Sequence, residues 1–116
     1  MNIYFHTGNI DVHPYEKEYM ANRMNGLDKF FRIGTHGYID IEKTRASHHG
    51  TNLYYVSVVI SDARIDYFTE EYSESIREAF DRSYGEIFRI IRDERSRSRT
   101  LIRKAGQQIK NLFRRH

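Results

Sequence analysis

The strongest chemical signal in this 116-residue sequence is the placement of its arginines. From Ser73 onward Ile76, Phe80, Ser83 or Tyr84, Ile87 and Ile91 recur every three or four positions, a spacing that predicts an amphipathic helix to about Arg95. At about 100° per residue, Arg82, Arg89 and Arg92 fall roughly opposite that apolar stripe, with Arg95 and Arg99 continuing beyond it. A guanidinium offers phosphate a planar two-pronged donor and keeps its charge at any physiological pH, so a ridge of arginine points to a nucleic-acid backbone. Glu78, Asp81, Glu86 and Asp93 stand at spacings that could pair with the same groups and leave only a solvated charged face. Nothing acidic follows Glu94, which favours phosphate binding. Arg23, Lys29 and Arg32, on an earlier predicted helix, join the ridge if the two helices lie side by side.

Other chemistry is sparse. There is no Gly-rich phosphate loop, no GxSxG or HExxH motif and no Cys, so an enzyme is not expected. Asp40 and Glu42 share a strand face and could meet Asp66 across a sheet, but polar residues on a solvated face have the same pattern, and no metal or other cofactor is expected. His48 and His49 lie in a predicted loop, and His6 and His13 have no identifiable partner. Tyr4, Tyr38, Tyr55 and Tyr67 are expected on an exposed sheet face. Aromatics there can stack on bases in single-stranded RNA, while cross-strand pairing or a dimer contact explains them more cheaply.

The net charge of +3 conceals a sharp asymmetry: residues 1–86 sum to −5 and residues 87–116 to +8. An acidic body with a basic end suggests a polyanionic partner, nucleic acid or an anionic membrane surface, engaged from one side. With 30% charged and 14% aromatic residues and a single Pro, the chain can fill one modest core and is not disordered as a whole. Without Cys there is no disulfide framework, and no apolar run approaches the roughly 18 residues of a membrane span. With no signal-peptide pattern at the N-terminus, a soluble cytoplasmic protein is expected.

These residues are positioned by a predicted order β-α-β-β-β-α. The first strand spans residues 1–12, with a bend or bulge at Gly8-Asn9. Pro14 starts a helix of about four to five turns along Tyr19 or Met20, Met24, Leu27 and Phe31, ending near Ile33-Gly34. Strands follow over residues 37–45 and 53–61, separated by a polar loop, Ser47 to Asn52. A tight connection at residues 62–64 leads to a returning strand in which Ile65, Tyr67 and Thr69 alternate with Asp66, Phe68 and Glu70. Ser73 is a plausible N-cap for the second helix. A one-sided four-stranded sheet needs both helices on its apolar face, hence an α+β two-layer sandwich. Residues 1–95 form the domain, and residues 96–116 a basic tail with a second apolar stripe, Leu101, Ile102, Ala105, Ile109, Leu112 and Phe113.

Three strings, Asn2-Ile3-Tyr4-Phe5-His6-Thr7-Gly8-Asn9-Ile10-Asp11-Val12, Arg23-Met24-Asn25-Gly26-Leu27-Asp28-Lys29-Phe30-Phe31, and Glu70-Glu71-Tyr72-Ser73-Glu74-Ser75-Ile76 followed by Asp81-Arg82, carry a resemblance. They resemble the bacterial ribosome hibernation-promoting factor family, whose short members are called ribosome-associated inhibitor A. The resemblance covers residues 1 to about 95 and implies a fold like double-stranded RNA-binding domains. It also implies a seat in the small ribosomal subunit where mRNA and tRNA would go, contacts to 16S rRNA, and silencing of translation under stress. By position, Arg23, Lys29, Arg82 and Arg89 match the family's basic sites. The sequence departs at Gly85 and Phe88, where the family prefers polar or basic residues, at Ser75-Ile76-Arg77, and at residues 62–64, which lack the usual Gly. The resemblance reaches only the family's ribosome-binding domain, so pairing of ribosomes through the second domain of long members is not expected.

The leading expectation is a non-enzymatic translation inhibitor on the small subunit. Two rivals stand beside it: a basic amphipathic tail that docks on a membrane surface or partner, and a general double-stranded RNA binder.

Overall fold

The computed structural model describes residues 1–44, 53–63 and 65–98, with side chains described to residue 94. Strands β1 (Asn2–Thr7), β2 (His36–Thr44), β3 (Leu53–Ser61) and β4 (Asp66–Ser73) form one sheet in the order β1-β2-β3-β4. The pair β1/β2 is parallel and the other two pairs are antiparallel. A parallel pair needs a crossover, and helix α1 (Pro14–Asn25) supplies it; helix α2 (Ile76–Ser98) is the last of the described elements. The result is the expected α+β sandwich of four strands and two helices.

Alternation sets the layers. Ile39, Ile41, Val56, Val58 and Ile60 turn inward and meet Met20, Met24 and Leu27 from the first crossover and Ala79, Phe80, Ile87 and Ile91 from α2, all buried. Two buried hydroxyls fix α2 on the sheet: Ser83 Oγ donates to the Val56 carbonyl at 3.2 Å, and Thr69 Oγ1 donates to the Ser83 carbonyl at 2.9 Å. Both satisfy polar groups that water cannot reach.

Four boundaries differ from the expectations. β1 ends at Thr7, so Ile10 and Val12 lie beyond it, Val12 packing into the core. Asn9 ends the strand: its Nδ2 donates to the Lys43 carbonyl at 2.8 Å and its Oδ1 accepts from the Lys43 N–H at 2.9 Å, imitating one more rung of the ladder. Helix α1 stops at Asn25, earlier than Ile33-Gly34, and the chain tightens into a 3-10 turn at Asp28–Phe30 that carries Leu27 and Phe31 onward. Ser73 is the last, buried residue of β4, and the true cap of α2 is Ser75, whose Oγ accepts from the Glu78 N–H at 3.0 Å. Helix α2 then continues to Ser98, past the helix end expected at about Arg95. The expected Ser47–Asn52 loop and the tail from residue 99 lie outside the described residues.

Candidate nucleic-acid interface

Helix α2 buries Phe80, Ile87 and Ile91 and turns Arg82, Arg89 and Arg92 to solvent, as the spacing requires. Arg82 donates to Glu78 Oε1 at 2.6 Å, one turn back, with both side chains about half exposed (54% and 51%). Arg92 Nε lies 3.6 Å from Asp93 Oδ1, also in solvent. The acids therefore answer two of the three ridge arginines. Exposed pairs of this kind contribute only about 0.2–1 kcal/mol, a margin that an arriving phosphate, binding two-pronged, can overcome. Arg89 is exposed and has no salt bridge among the described residues.

The seam between the helices brings in further cations. Arg77 donates to Glu16 at 3.3 and 3.4 Å, with its guanidinium 4.1 Å from the Tyr19 ring centre, while the Tyr19 hydroxyl donates to Asp81. Burial and that bond to the Asp81 carboxylate push the Tyr19 phenol pKa up. The Arg23 guanidinium lies 4.4 Å from the Tyr84 ring centre, so α1 lays an arginine beside α2. Phe30 packs edge-on against Phe88 at 6.0 Å, and the Lys29 ammonium lies 5.3 Å from the Phe30 ring centre.

Arg23 and Lys29 thus belong with the second helix, as expected of side-by-side helices. Arg32 is held elsewhere, in the turn closed by Gly34 (φ 97°), where it lines a groove with Met1, Asn2 and Asp28. Arg95 lies in α2 but beyond the described side chains, and Arg99 lies outside the described residues. Arg77 and Tyr84 were missed by the sequence reasoning. Their positions flank the apolar stripe on the side that receives α1, which is the signal that could have found them.

The expected tyrosine face needs one correction. Tyr67 is buried (7% exposed) on the helix side, with its hydroxyl donating to Glu94 of α2. Phe68 and Tyr72 take its place outside, with Tyr4 and Tyr38. Asp40 and Glu42 do share the outer face, where Asp40 Oδ1 lies 3.0 Å from His6 Nδ1. Among the described residues no group of three His, Asp or Glu side chains could hold a metal ion, and no helix is long and apolar enough to cross a membrane.

One carboxylate beside the ridge, Glu86, meets a second carboxylate, Glu71. The Glu86 pKa is raised, first by its hydrogen bond with Glu71 of β4, then by burial and the Glu71 charge, while Arg89 acts the other way. A raised folded-state pKa means that this contribution to stability is complete below the ordinary glutamate range and is lost as pH rises through the raised value. Glu86→Gln keeps a donor for Glu71 and removes the second charge. The variant is expected to be more stable at neutral pH by up to about 0.5 kcal/mol, with a smaller difference between melts at acidic and neutral pH. Thermal melts across that range check it, and an unchanged pH profile would contradict it.

The mixed four-stranded sheet with two helices on one face is an arrangement that the chain shares with solved structures. The N-terminal domain of Protein Y from Thermus thermophilus matches with a TM-score of 0.64 at 14% identity, over 78% of this chain and 96% of that one. A ribosomal subunit interface protein from Coxiella burnetii matches with a TM-score of 0.66 at 9% identity, over 83% of this chain and 99% of that one. Both belong to the hibernation-promoting factor family. At such identities the likeness establishes the fold. No family model and no curated protein matches the sequence.

Proposed function

We propose that this protein is a non-enzymatic, ribosome-associated translation inhibitor of the cytoplasm, which grips 16S rRNA in the mRNA and tRNA channel of the small subunit. The observation that carries this reading is the outward row Arg82, Arg89 and Arg92 on α2, with Arg23 and Lys29 beside it, on a fold shared with one solved protein that is named for the ribosomal subunit interface. Recognition by such a row follows the shape and charge of the RNA backbone more than base edges.

Sedimentation with isolated small subunits, large subunits, an RNA duplex and anionic liposomes, each at low and high salt, tests it. Pelleting with small subunits that weakens steeply with salt is expected. Equal retention on free duplex would favour a general RNA binder, and retention only on liposomes would favour a membrane-docking tail.

Gly85 lies on the outer face of α2 between Arg82 and Arg89, and a Cβ added there meets nothing within 4 Å. Glycine in a helix interior costs about 1 kcal/mol relative to alanine, and no packing at this position needs it. Its absent side chain leaves α2 bare where a sugar-phosphate backbone would come closest. Gly85→Ala is therefore expected to raise stability by about 0.5–1 kcal/mol while weakening small-subunit binding. A thermal melt paired with the sedimentation assay checks both halves, and undiminished binding would remove Gly85 from the contact.

A further inference from the structure

The side of the sheet away from the helices has its own chemistry, opposite in sign. Strand register sets Tyr4 opposite Tyr38, Tyr38 opposite Val59 and Val59 opposite Phe68, a row running across all four strands. Tyr4, Tyr38 and Phe68 are 49%, 43% and 50% exposed, and the first two rings stack at 5.4 Å. Beside this row, Asp40 and Glu70 flank Ser57, and Glu42 lies opposite Tyr55, which pairs in turn with Tyr72 at 5.0 Å. The Tyr55 hydroxyl donates to Glu70 at 2.7 Å, and burial, with that bond, pushes its pKa up to about 12. Asp66 adds a fourth carboxylate at the rim, and among the described residues no Lys or Arg stands on this face.

We propose that this open face docks a basic polypeptide segment of a partner protein, with arginine or lysine side chains laid on the aromatic row. Cations are attracted to ring faces within about 6 Å, and the neighbouring Asp40, Glu42, Asp66 and Glu70 supply the complementary charge. The same carboxylates repel phosphate, so the tyrosines do not serve as a base-stacking platform for RNA. Helix face and sheet face thus take partners of opposite charge, and the inference stands independently of what α2 binds.

The test is fluorescence anisotropy of the full chain with a labelled peptide alternating Arg and Thr, a matched peptide alternating Glu and Thr, and a short single-stranded RNA. Saturable binding of the Arg peptide alone is expected. A Tyr38→Ser/Phe68→Ser variant should bind at least tenfold more weakly, as should Asp40→Asn/Glu70→Gln, while Arg82→Ala/Arg89→Ala should leave the peptide affinity unchanged. Circular dichroism confirms that each variant is folded, and the charge variant keeps the test decisive if the aromatic one is not. No saturable peptide binding would overturn the proposal, as would binding insensitive to the aromatic variant. RNA binding lost with Tyr38 and Phe68, or a concentration-dependent dimer in sedimentation equilibrium that those substitutions abolish, would assign the face to RNA or to a second copy instead.

Discussion

Phe80→Ala is expected to lower the unfolding free energy by about 3–5 kcal/mol. The ring is fully buried, edge-on to Tyr19 of α1 at 6.0 Å and tilted against Tyr84 at 5.9 Å. It is the largest fully buried side chain among the described residues, and it sits where the two helices and the sheet converge. Removing it leaves a void that the β-sheet cannot follow inward, because strand pairing fixes the positions of Val56 and Val58. Small domains have about 5–15 kcal/mol in total, so the variant should sit near the edge of folding. It should also loosen Tyr84, on which Arg23 rests. Urea unfolding followed by circular dichroism measures the loss. A change below about 1 kcal/mol would mean that α2 is not packed on the sheet as described.

The second large effect is electrostatic. If Arg82 and Arg89 each neutralise an rRNA phosphate, Arg82→Ala/Arg89→Ala removes two counterion-releasing contacts. The slope of log affinity against log salt should become shallower by about 1.4–1.8, and affinity for the small subunit should fall by roughly 10- to 30-fold near 0.15 M salt. Both side chains are exposed, so the fold should be untouched, and the Glu78 carboxylate freed from Arg82 remains in water. Fluorescence titration of labelled protein with small subunits at several salt concentrations supplies both numbers. An unchanged slope, even with weaker binding, would show that these arginines do not meet phosphate.

Much of the architecture was legible because periodicity is a direct image of burial. The run Leu53–Ser61 could only be a strand with Tyr54, Val56, Val58 and Ile60 on one side, and it is. Less legible was anything decided by one hydrogen bond. Leu27 and Phe31 keep a helical spacing whether the chain stays α-helical or tightens into the 3-10 turn at Asp28–Phe30, so periodicity could not mark the break. The mark was Asn25-Gly26. Ser73 and Ser75 are both credible caps, and the Ser75-x-x-Glu78 spacing was the discriminating detail. In β4 hydrophobicity gives no phase, since Tyr67 and Phe68 are adjacent aromatics. The inward phase is fixed by Thr69 bonding the Ser83 carbonyl and by Tyr67 reaching Glu94.

The arginine ridge was legible for the same reason as the core, being its angular complement. How far neighbouring acids answer it was not, because pairing depends on rotamers: Glu78 takes Arg82, Asp81 turns to Tyr19, and Glu86 turns away toward Glu71. Side-by-side helices were foreseen. Spacing does not show that Arg23 reaches α2 through an aromatic ring or that Arg32 is drawn off into the Gly34 turn, because both depend on how the turns after α1 pack.

Cryo-electron microscopy of the full chain bound to small ribosomal subunits tests the central claim most directly. The expected map has the outer face of α2 against the 16S rRNA sugar-phosphate backbone within the mRNA and tRNA channel, with Arg82 and Arg89 on phosphates and the aromatic sheet face turned away from RNA. Density that puts the sheet face on RNA, or leaves those two arginines in solvent, would contradict it.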